Sequence, residues 1–149
     1  MLDFDGVFTD DKVIVSQDGT ESVRCSRSDG MGIGMLKKTG LPIWVLSTES
    51  NPVVQVRTSK LGIPCRQGLK DKGQALQQLL QEQGYDPLQV VYVGNDVNDL
   101  PCLELVGCAV AVADAHPDVL AQADLVLGHR GGDGAIREIC DLLLERREL

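Results

Sequence analysis

Residues 2–11, "LDFDGVFTDD", contain two carboxylates, Asp3 and Asp5, one on each side of Phe4. On an extended strand, successive side chains point to opposite faces, so Asp3 and Asp5 share one face and Phe4 takes the other. Two like charges on one face raise each other's pKa unless a cation lies between them. The pattern therefore predicts a bound metal ion, a shared proton or a pair of solvated acids.

The composition predicts a single globular domain over residues 1–149, long enough to bury a core. Aromatic residues make up only 3% of the chain, so the core must be built from Val, Leu, Ile and Ala, which suits a buried parallel sheet. The net charge of −8 argues against nucleic acid or an anionic membrane as a partner. A small anionic substrate stays compatible with it, because a metal ion and a few cations can override the overall field.

Five widely spaced cysteines, with no C-x-x-C pair, signal neither a zinc site nor a disulfide framework. A reducing, cytoplasmic compartment fits them best. No signal peptide is recognisable, and no apolar run comes near the roughly 18 residues that a membrane span needs. Only two residues precede the acidic pair, fewer than the roughly five of a usual strand. We therefore expect either a piece of a longer protein or a chain whose first residues are absent from the numbering.

Apolar runs and helical patterns alternate along the chain, which predicts βαβ units and a mostly parallel sheet covered on both faces. A β-hairpin is predicted as an insertion at about 12–25, because Asp18-Gly19 is a strong turn signal between two strand-like segments. Asp71 and Gly84 are suitable residues to begin and end the helix between them. The predicted strands are 1–4, 43–46, 90–93, 109–112 and 125–127, and the predicted helices are 31–38, 52–60, 72–83, 99–106, 117–122 and 134–146.

Polar residues follow three of the predicted strands, where the sites of open α/β sheets gather. A carboxylate such as Asp3 can attack phosphorus, and an acid two residues on, Asp5, can protonate the leaving oxygen and later activate water. Gly6 would let the backbone turn sharply beneath the reacting group. The stretch "VGNDVNDLP" offers oxygen ligands for Mg²⁺, or caps for a strand-to-helix turn; these ligands are Asn95, Asp96 and Asp99.

Other polar residues have both a structural and a functional interpretation. The hydroxyls of Ser47 and Thr48 are common at strand ends, but they would also suit an anion placed nearby. Lys72 opens a helix and is either a solvated surface residue or, with the helix dipole, a contact for a phosphoryl group. The glycines of "GGDGAIRE" favour turn geometry over an anion site, and His116 and His129 are interpreted as structural.

These motifs, in this order, resemble the haloacid dehalogenase-like phosphohydrolases, whose first motif, D-x-D-G-x-x-T, is read here from Asp3 to Thr9. Ser47, Lys72 and the stretch "GNDVND" stand where the second, third and fourth motifs have their key residues. The chain is more closely similar to the capless subgroup of 3-deoxy-D-manno-octulosonate 8-phosphate phosphatase and of the phosphatase domains attached to acylneuraminate cytidylyltransferases. "LSTE" and "GNDVNDLP" resemble the sialic-acid-linked branch of that subgroup.

The resemblance implies a three-layer, Rossmann-like fold without a cap domain and a phosphoric monoester hydrolase that uses Mg²⁺. Asp3 would be the nucleophile, Asp5 the general acid and base, and both would ligate the metal. Ser47 and Lys72 would hold the phosphoryl oxygens. Phosphate or substrate contacts are also expected from Gly6, Thr9 and Thr48, and metal contacts from Asn95, Asp96 and Asp99. The subgroup implies homotetramers in which the hairpin packs between subunits.

Two departures from the family pattern bear on the function. Asn95 stands where the family often has Asp, which removes one negative charge from the metal site, unless Asp96 takes over as the ligand. Thr48-Glu49 stand where the octulosonate phosphatases tend to have Gly-Arg, so a nine-carbon sialic or deaminoneuraminic acid 9-phosphate is the expected substrate, ahead of octulosonate 8-phosphate. The alternative is a catalytically weak tetramerisation domain of a cytidylyltransferase fusion.

Overall fold

The sheet is built around Leu2, which pairs in parallel with a strand on each side of it. Its main-chain N–H donates to Trp44 at 2.9 Å, and the N–H of the next residue, Asp3, donates to Val93 at 3.0 Å. On the first side Val45–Leu46 pairs with Cys65–Arg66. On the second side Val91–Gly94, Cys108–Ala111 and Leu125–Val126 pair in that order, and all these pairings are parallel. The chain is therefore an α/β protein with a parallel, Rossmann-like sheet, as predicted.

This computed structural model describes residues 1–146, so the last three residues of the predicted domain lie outside the described part. The strands are β1 (Ile14–Val15), β2 (Glu21–Ser22), β3 (Val45–Leu46), β4 (Cys65–Arg66), β5 (Val91–Gly94), β6 (Cys108–Ala111) and β7 (Leu125–Val126). The helices are α1 (Arg27–Lys37), α2 (Val53–Leu61), α3 (Lys72–Gln83), α4 (Leu100–Leu103), α5 (Pro117–Gln122) and α6 (Ala135–Glu145), with 3₁₀ turns at Pro87–Gln89 and Val97–Asp99.

Helices cover the sheet, and the sheet lies in the core. Helix α1 packs on α6 and α2, while α3, α4 and α5 form a second group of packed helices. Three consecutive residues of β6, Ala109, Val110 and Ala111, are all buried, so neither face of that strand meets water. Such burial is typical of a parallel sheet in a layered α/β fold. Within the described residues, no helix has both the length and the apolar character that crossing a bilayer requires.

Two element boundaries correct the sequence prediction. The strand predicted at 1–4 is reduced to the pairing of Leu2, because the chain turns at Phe4, whose carbonyl accepts from the Phe8 N–H at 2.8 Å. Helix α1 begins four residues before the predicted start, since the Ser26 side chain caps it by accepting from the Ser28 N–H at 3.2 Å. The first turn of α1 was not predicted, because the helix contains three glycines and glycine lowers helix propensity.

The predicted bounds of α3 are confirmed, whereas α4 and β4 differ from the prediction. Helix α3 has its predicted bounds, with Asp71 accepting from the Gln74 N–H at its start and Gly84 in the left-handed conformation at its end. Helix α4 is shorter than the segment predicted at 99–106, because Asp99 belongs to the preceding 3₁₀ turn and the helix already ends at Leu103. Strand β4 was missed, since it holds only two residues, one of them charged.

The predicted hairpin is present as the antiparallel pair β1–β2, in which Ile14 lies opposite Ser22. Its turn closes with the Gly19 N–H donating to the Ser16 carbonyl at 2.9 Å. The hairpin leaves apolar side chains in solvent, because Ile14 and Val15 are 66% and 64% exposed. It stands at one side of the cleft described below.

Candidate active site

Lys72 joins two carboxylates that lie far apart in the sequence. It is the first residue of α3, and its Nζ donates to Oδ1 of Asp3 at 2.5 Å and to Oδ1 of Asp99 at 2.8 Å. All three side chains are buried, with Lys72 only 3% exposed. Lys72 is thus an internal counter-ion, and the interpretation as a solvated surface lysine is excluded.

The pKa values of Asp3 and Lys72 are both shifted upward, but for different reasons. Burial raises the pKa of Asp3, the charge of Asp99 raises it further, and Lys72 only partly offsets them, leaving the pKa at about 8. Burial lowers the pKa of Lys72, but the two carboxylates outweigh it, so the net shift is upward and the ammonium keeps its charge. A second cation beside Asp3 would favour its ionised form.

The other oxygen of Asp3 faces a second group, formed with Asp5 and Asn95. One atom of the Asn95 side-chain amide lies 2.9 Å from Asp3 Oδ2 and 2.9 Å from the main-chain oxygen of Asp5. With the amide nitrogen in that place, it donates a hydrogen bond to each oxygen. With the amide oxygen there, three oxygens converge, and we call this set the oxygen trio.

The two distances from the inward Asn95 atom to the other members of the oxygen trio fit a magnesium ion. Mg²⁺ binds oxygens at about 2.0–2.1 Å in an octahedron, so two neighbouring ligands lie about 2.9 Å apart. Carboxylate, main-chain carbonyl and amide oxygens are ligands that this ion prefers. In residues 1–146 no three His, Cys, Asp or Glu side chains gather closely enough to hold a metal ion by themselves. A site for Mg²⁺ here must therefore draw on the amide and the main chain.

Asp99, expected as a metal ligand, lies behind the oxygen trio with both oxygens already engaged. Its Oδ1 accepts from Lys72 and from the Tyr92 hydroxyl, the latter at 2.8 Å. Its Oδ2 accepts from the N–H groups of Asn95 at 2.9 Å and Asp96 at 3.4 Å. In this arrangement Asp99 positions Lys72 and the loop that carries Asn95, and its expected role as a metal ligand stays a prediction.

Asp96, also expected as a ligand, lies at the exposed rim. Its side chain caps the following 3₁₀ turn, with Oδ1 accepting from the Val97 N–H at 2.7 Å. The Asn95 amide, not Asp96, is the group that faces Asp3 and Asp5. Sequence reasoning assigned no role to Tyr92, whose hydroxyl donates to Asp99.

Gly6 brings the first loop against Asn95. Its φ of +78° suits glycine, and a Cβ built there would lie 1.9 Å from the Asn95 amide. Thr9, expected to contact phosphate, is fully buried, and its Oγ1 accepts from the Gly6 N–H at 3.1 Å and the Asp11 N–H at 3.2 Å. Thr9 therefore holds the loop in shape instead of facing the cleft.

The glycine-rich segment before α6 supports the same loop from behind. A Cβ on Gly131 would lie 1.7 Å from the Gly6 carbonyl oxygen. The N–H of Gly132 donates to the Val7 carbonyl at 3.0 Å. Close packing against the first loop explains why this segment is rich in glycine, in line with the turn interpretation.

Above the oxygen trio lies a cleft of about 370 Å³, into which Asp3, Asp5 and Asn95 face. Burial raises the pKa of Asp5, and the charges of Glu49 and Asp11 raise it further. A carboxyl group with a raised pKa is suited to donate a proton near neutral pH. The other charged side chains of the lining are four acids and one lysine: Asp11, Glu21, Glu49, Asp96 and Lys12. The lining also includes Thr48 and several apolar side chains.

The remaining predicted residues lie near this cleft or away from it. Thr48 is exposed on the lining, whereas Ser47 is buried beneath it and its Oγ accepts from the Glu49 N–H at 3.1 Å. His116 begins α5, and its main-chain N–H donates to the Asn95 carbonyl at 2.7 Å. His129 pairs with Glu138 at 2.7 Å, away from the cleft lining.

Comparisons with a family model and with known proteins indicate the same family. Residues 67–139 match the haloacid dehalogenase-like hydrolase family. The 3-deoxy-D-manno-octulosonate 8-phosphate phosphatase KdsC of Escherichia coli K12 is 39% identical over 145 residues, which are 97% of this chain and 77% of that protein. The similarity thus extends across all four motifs.

Solved structures agree with that result. A protein from Streptomyces avermitilis, described at the level of the HAD hydrolase family, is 55% identical with a TM-score of 0.92, over 94% of this chain and 80% of its own. The 3-deoxy-D-manno-octulosonate 8-phosphate phosphatase of Moraxella catarrhalis is 32% identical with a TM-score of 0.93, over 97% and 83%. That structure holds a magnesium ion, a phosphate ion and a KDO molecule.

Proposed function

The chain belongs to the haloacid dehalogenase-like hydrolases, and we propose that it is a Mg²⁺-dependent phosphatase of an acidic keto-sugar phosphate that works through an aspartyl-phosphate on Asp3. The arrangement around the Asp3 carboxylate carries the proposal. One of its oxygens accepts from the buried ammonium of Lys72, and the other belongs to the oxygen trio at the floor of the cleft. With Mg²⁺ bound in the oxygen trio, the Asp3 carboxylate would lie between two positive centres and be well placed to meet a phosphoryl group.

Mg²⁺ would be held by Asp3 Oδ2, the main-chain oxygen of Asp5 and Asn95, where it would offset the charge of the incoming phosphate. The Asp3 carboxylate attacks phosphorus, and the bond from phosphorus to the sugar oxygen breaks as the acyl phosphate forms. Asp5 donates its proton to that leaving oxygen, and its raised pKa favours the protonated form that this step needs. Lys72 stabilises the negative charge that builds up on the phosphoryl oxygens.

The second step returns the enzyme to its starting state. Asp5, now ionised, takes a proton from a water molecule, and the oxygen of that water attacks the phosphorus of the acyl phosphate. The bond between phosphorus and Asp3 breaks, and inorganic phosphate leaves. Asp5 is half-buried on the cleft and Asp3 is buried beneath, so water reaches the acid before the nucleophile.

Glu49 supports a nine-carbon substrate, of the sialic or deaminoneuraminic acid 9-phosphate type, over octulosonate 8-phosphate. It is fixed at the cleft, where its Oε1 accepts from the N–H groups of Ser50 at 2.7 Å and Asn51 at 2.8 Å. A carboxylate in that place favours sugar hydroxyls and disfavours the close approach of a second carboxylate. The substrate's own carboxylate would then have to lie farther from Glu49, which a longer sugar allows.

The assembly proposed for this function is a homotetramer in the cytoplasm. Exposed Ile14 and Val15 give the hairpin an apolar surface beside the cleft, which suits packing against another subunit. A neighbouring subunit would also be a source of cations for an acidic cleft. The wide spacing of the five cysteines supports the reducing compartment.

The test is phosphate release from a small panel in the presence of Mg²⁺. The panel holds N-acetylneuraminate 9-phosphate, its deaminated analogue and octulosonate 8-phosphate, with Asp3→Asn as the matched control. We expect release from a nine-carbon substrate and none from the control, whose circular dichroism spectrum should match that of the parent. Silence on the whole panel would overturn the proposal and favour the weak tetramerisation domain, whereas activity of the control would remove Asp3 as nucleophile.

A further inference from the structure

We infer that the side-chain amide of Asn95 has two working orientations, nitrogen inward in the metal-free site and oxygen inward when a cation is bound. This inference deepens the proposed function and rests on it, because it concerns how the proposed metal site is held without the metal. It gives Asn95 a function that an ionised carboxylate in the same position cannot have, because only the amide can donate a hydrogen bond.

The first support is the shape of the site around the amide. The inward atom of Asn95 lies 2.9 Å from both Asp3 Oδ2 and the Asp5 main-chain oxygen. That distance suits an N–H···O hydrogen bond and equally suits neighbouring oxygen ligands on Mg²⁺. A half-turn of the amide exchanges nitrogen for oxygen without moving any other atom, so the site has one shape for both states.

The second support is that the two orientations differ in energy. With oxygen inward and no cation, the amide oxygen faces only acceptors and the amide nitrogen faces only donors. With nitrogen inward, it donates to both inward oxygens. With Asp3 ionised, the metal-free site therefore selects the nitrogen-inward state, and a cation among the three oxygens reverses the preference.

The third support is the fixed position of the residue. Asn95 is 8% exposed, and its main-chain N–H is held by Asp99 Oδ2 at 2.9 Å. Its outward amide atom lies against Gly6, where even a Cβ would come within 1.9 Å. These contacts confine the side chain, so a half-turn of the amide within the same volume is the movement that disturbs its surroundings least.

An aspartate at this position would behave differently. Ionised, it can accept but not donate, so the metal-free site would hold another negative charge beside Asp3 with no hydrogen bond in return. That charge would raise the affinity for a divalent cation, since affinity follows the charge of the ligands. Asn95 thus exchanges metal affinity for a metal-free site that keeps its shape.

The experiment compares the parent protein with Asn95→Asp, using Mg²⁺ alone as the probe. Calorimetry gives the Kd for Mg²⁺, and thermal unfolding is followed with EDTA and with saturating Mg²⁺. We expect Asn95→Asp to bind Mg²⁺ with a Kd about tenfold lower, to unfold at a lower temperature in EDTA, and to gain more from Mg²⁺ than the parent does. Gln78→Glu makes the same change of charge on the exposed face of α3 and should alter none of these quantities.

Nuclear magnetic resonance of the Asn95 side-chain NH₂ group observes the orientation directly. In the metal-free protein, we expect its protons to exchange slowly and to lie at hydrogen-bonded shifts, and saturation with Mg²⁺ should move both properties. Mg²⁺ binding and turnover with an unchanged Asn95 amide, or an equal Kd and an equal unfolding temperature for Asn95→Asp, would overturn this inference alone. Absence of both Mg²⁺ binding and phosphate release in the parent would overturn the proposed function with it.

Discussion

The Nζ of Lys72 lies 2.5 Å from Oδ1 of Asp3, although 69 positions separate the two residues in the chain. The contact links the central segment of the sheet to the first residue of α3. Both side chains are almost completely buried, and the ammonium also binds Asp99. A buried ion pair of this kind depends on both partners, because a lone buried charge is costly.

Replacing Lys72 with methionine should therefore destabilise the protein and abolish turnover. The variant keeps an unbranched side chain but leaves Asp3 and Asp99 buried without their counter-ion, which costs about 3–5 kcal/mol. The free energy of unfolding from urea titration at neutral pH measures this loss. Lys70→Met, at an exposed position, is the control and should stay within about 0.5 kcal/mol of the parent. A loss below about 1 kcal/mol for Lys72→Met would contradict the buried network.

Tyr92→Phe tests whether the shared oxygen of Asp99 matters for the reaction. The Tyr92 hydroxyl and Lys72 donate to the same Oδ1, so removing the hydroxyl leaves Lys72 as its sole side-chain donor. Loss of a hydrogen bond to a charged group costs about 1.5–3 kcal/mol of stability. We expect kcat to fall about tenfold with KM unchanged, since a misplaced Lys72 weakens the transition state by about 1.4 kcal/mol.

Steady-state kinetics with the substrate that the panel identifies separates the two parameters. Tyr85→Phe, on a tyrosine that lies away from the cleft lining, is the matched control. If Tyr92→Phe lowered stability alone and left kcat unchanged, the hydroxyl would serve the core and not the site. A rise in KM without a fall in kcat would equally refute the positioning role.

Gly6→Ala separates backbone strain from crowding at Asn95. The left-handed φ of +78° costs an alanine about 1–2 kcal/mol, and the new Cβ would also collide with the Asn95 amide. Gly19→Ala is a close control, because Gly19 has a φ of +85° with open space around its Cβ position. We expect both variants to be destabilised by the strained backbone. Only Gly6→Ala should also lose Mg²⁺ binding, as measured by calorimetry. Equal Mg²⁺ affinity in the two variants would refute the contact with Asn95.

Local sequence signals predicted the elements whose causes are local. The Asp71 cap and Gly84 define α3, and Asp18-Gly19 defines the hairpin, because each signal acts within a few residues of the element it ends. The convergence of Asp3, Lys72 and Asn95 was also predictable, since parallel strands deliver the residues that follow them to one edge of the sheet. The family resemblance sharpened that expectation.

The features that sequence reasoning missed depend on contacts between distant segments. Nothing near Tyr92 indicates that its hydroxyl serves Asp99, and nothing near Gly131 indicates that it packs on Gly6. Thr9 is a further example. Its position in the motif predicted a contact with phosphate, but its hydroxyl is buried and accepts hydrogen bonds from the loop. Such roles follow from packing between segments, which a local pattern does not encode.

Glu138, in the first turn of α6, makes the stability of the protein depend on pH. Its Oε1 accepts from the Gly128 N–H and its Oε2 from the His129 N–H, both at 2.9 Å. Partial burial raises the pKa of Glu138, but these hydrogen bonds and the His129 ring lower it by more, so the net shift is downward. A carboxyl group whose pKa is lower in the folded state adds stability above its unfolded pKa and loses it as the pH falls through the folded value.

Glu138→Gln should therefore unfold at a lower temperature than the parent near neutral pH, and the difference should shrink as the pH falls below about 4.3, the usual pKa of glutamate. Thermal unfolding between about pH 7 and pH 3 measures the two curves. Glu145→Gln, at the exposed end of α6, should run parallel to the parent at every pH. A Tm difference for Glu138→Gln that stayed constant over the whole range would show that its hydrogen bonds do not depend on the charge.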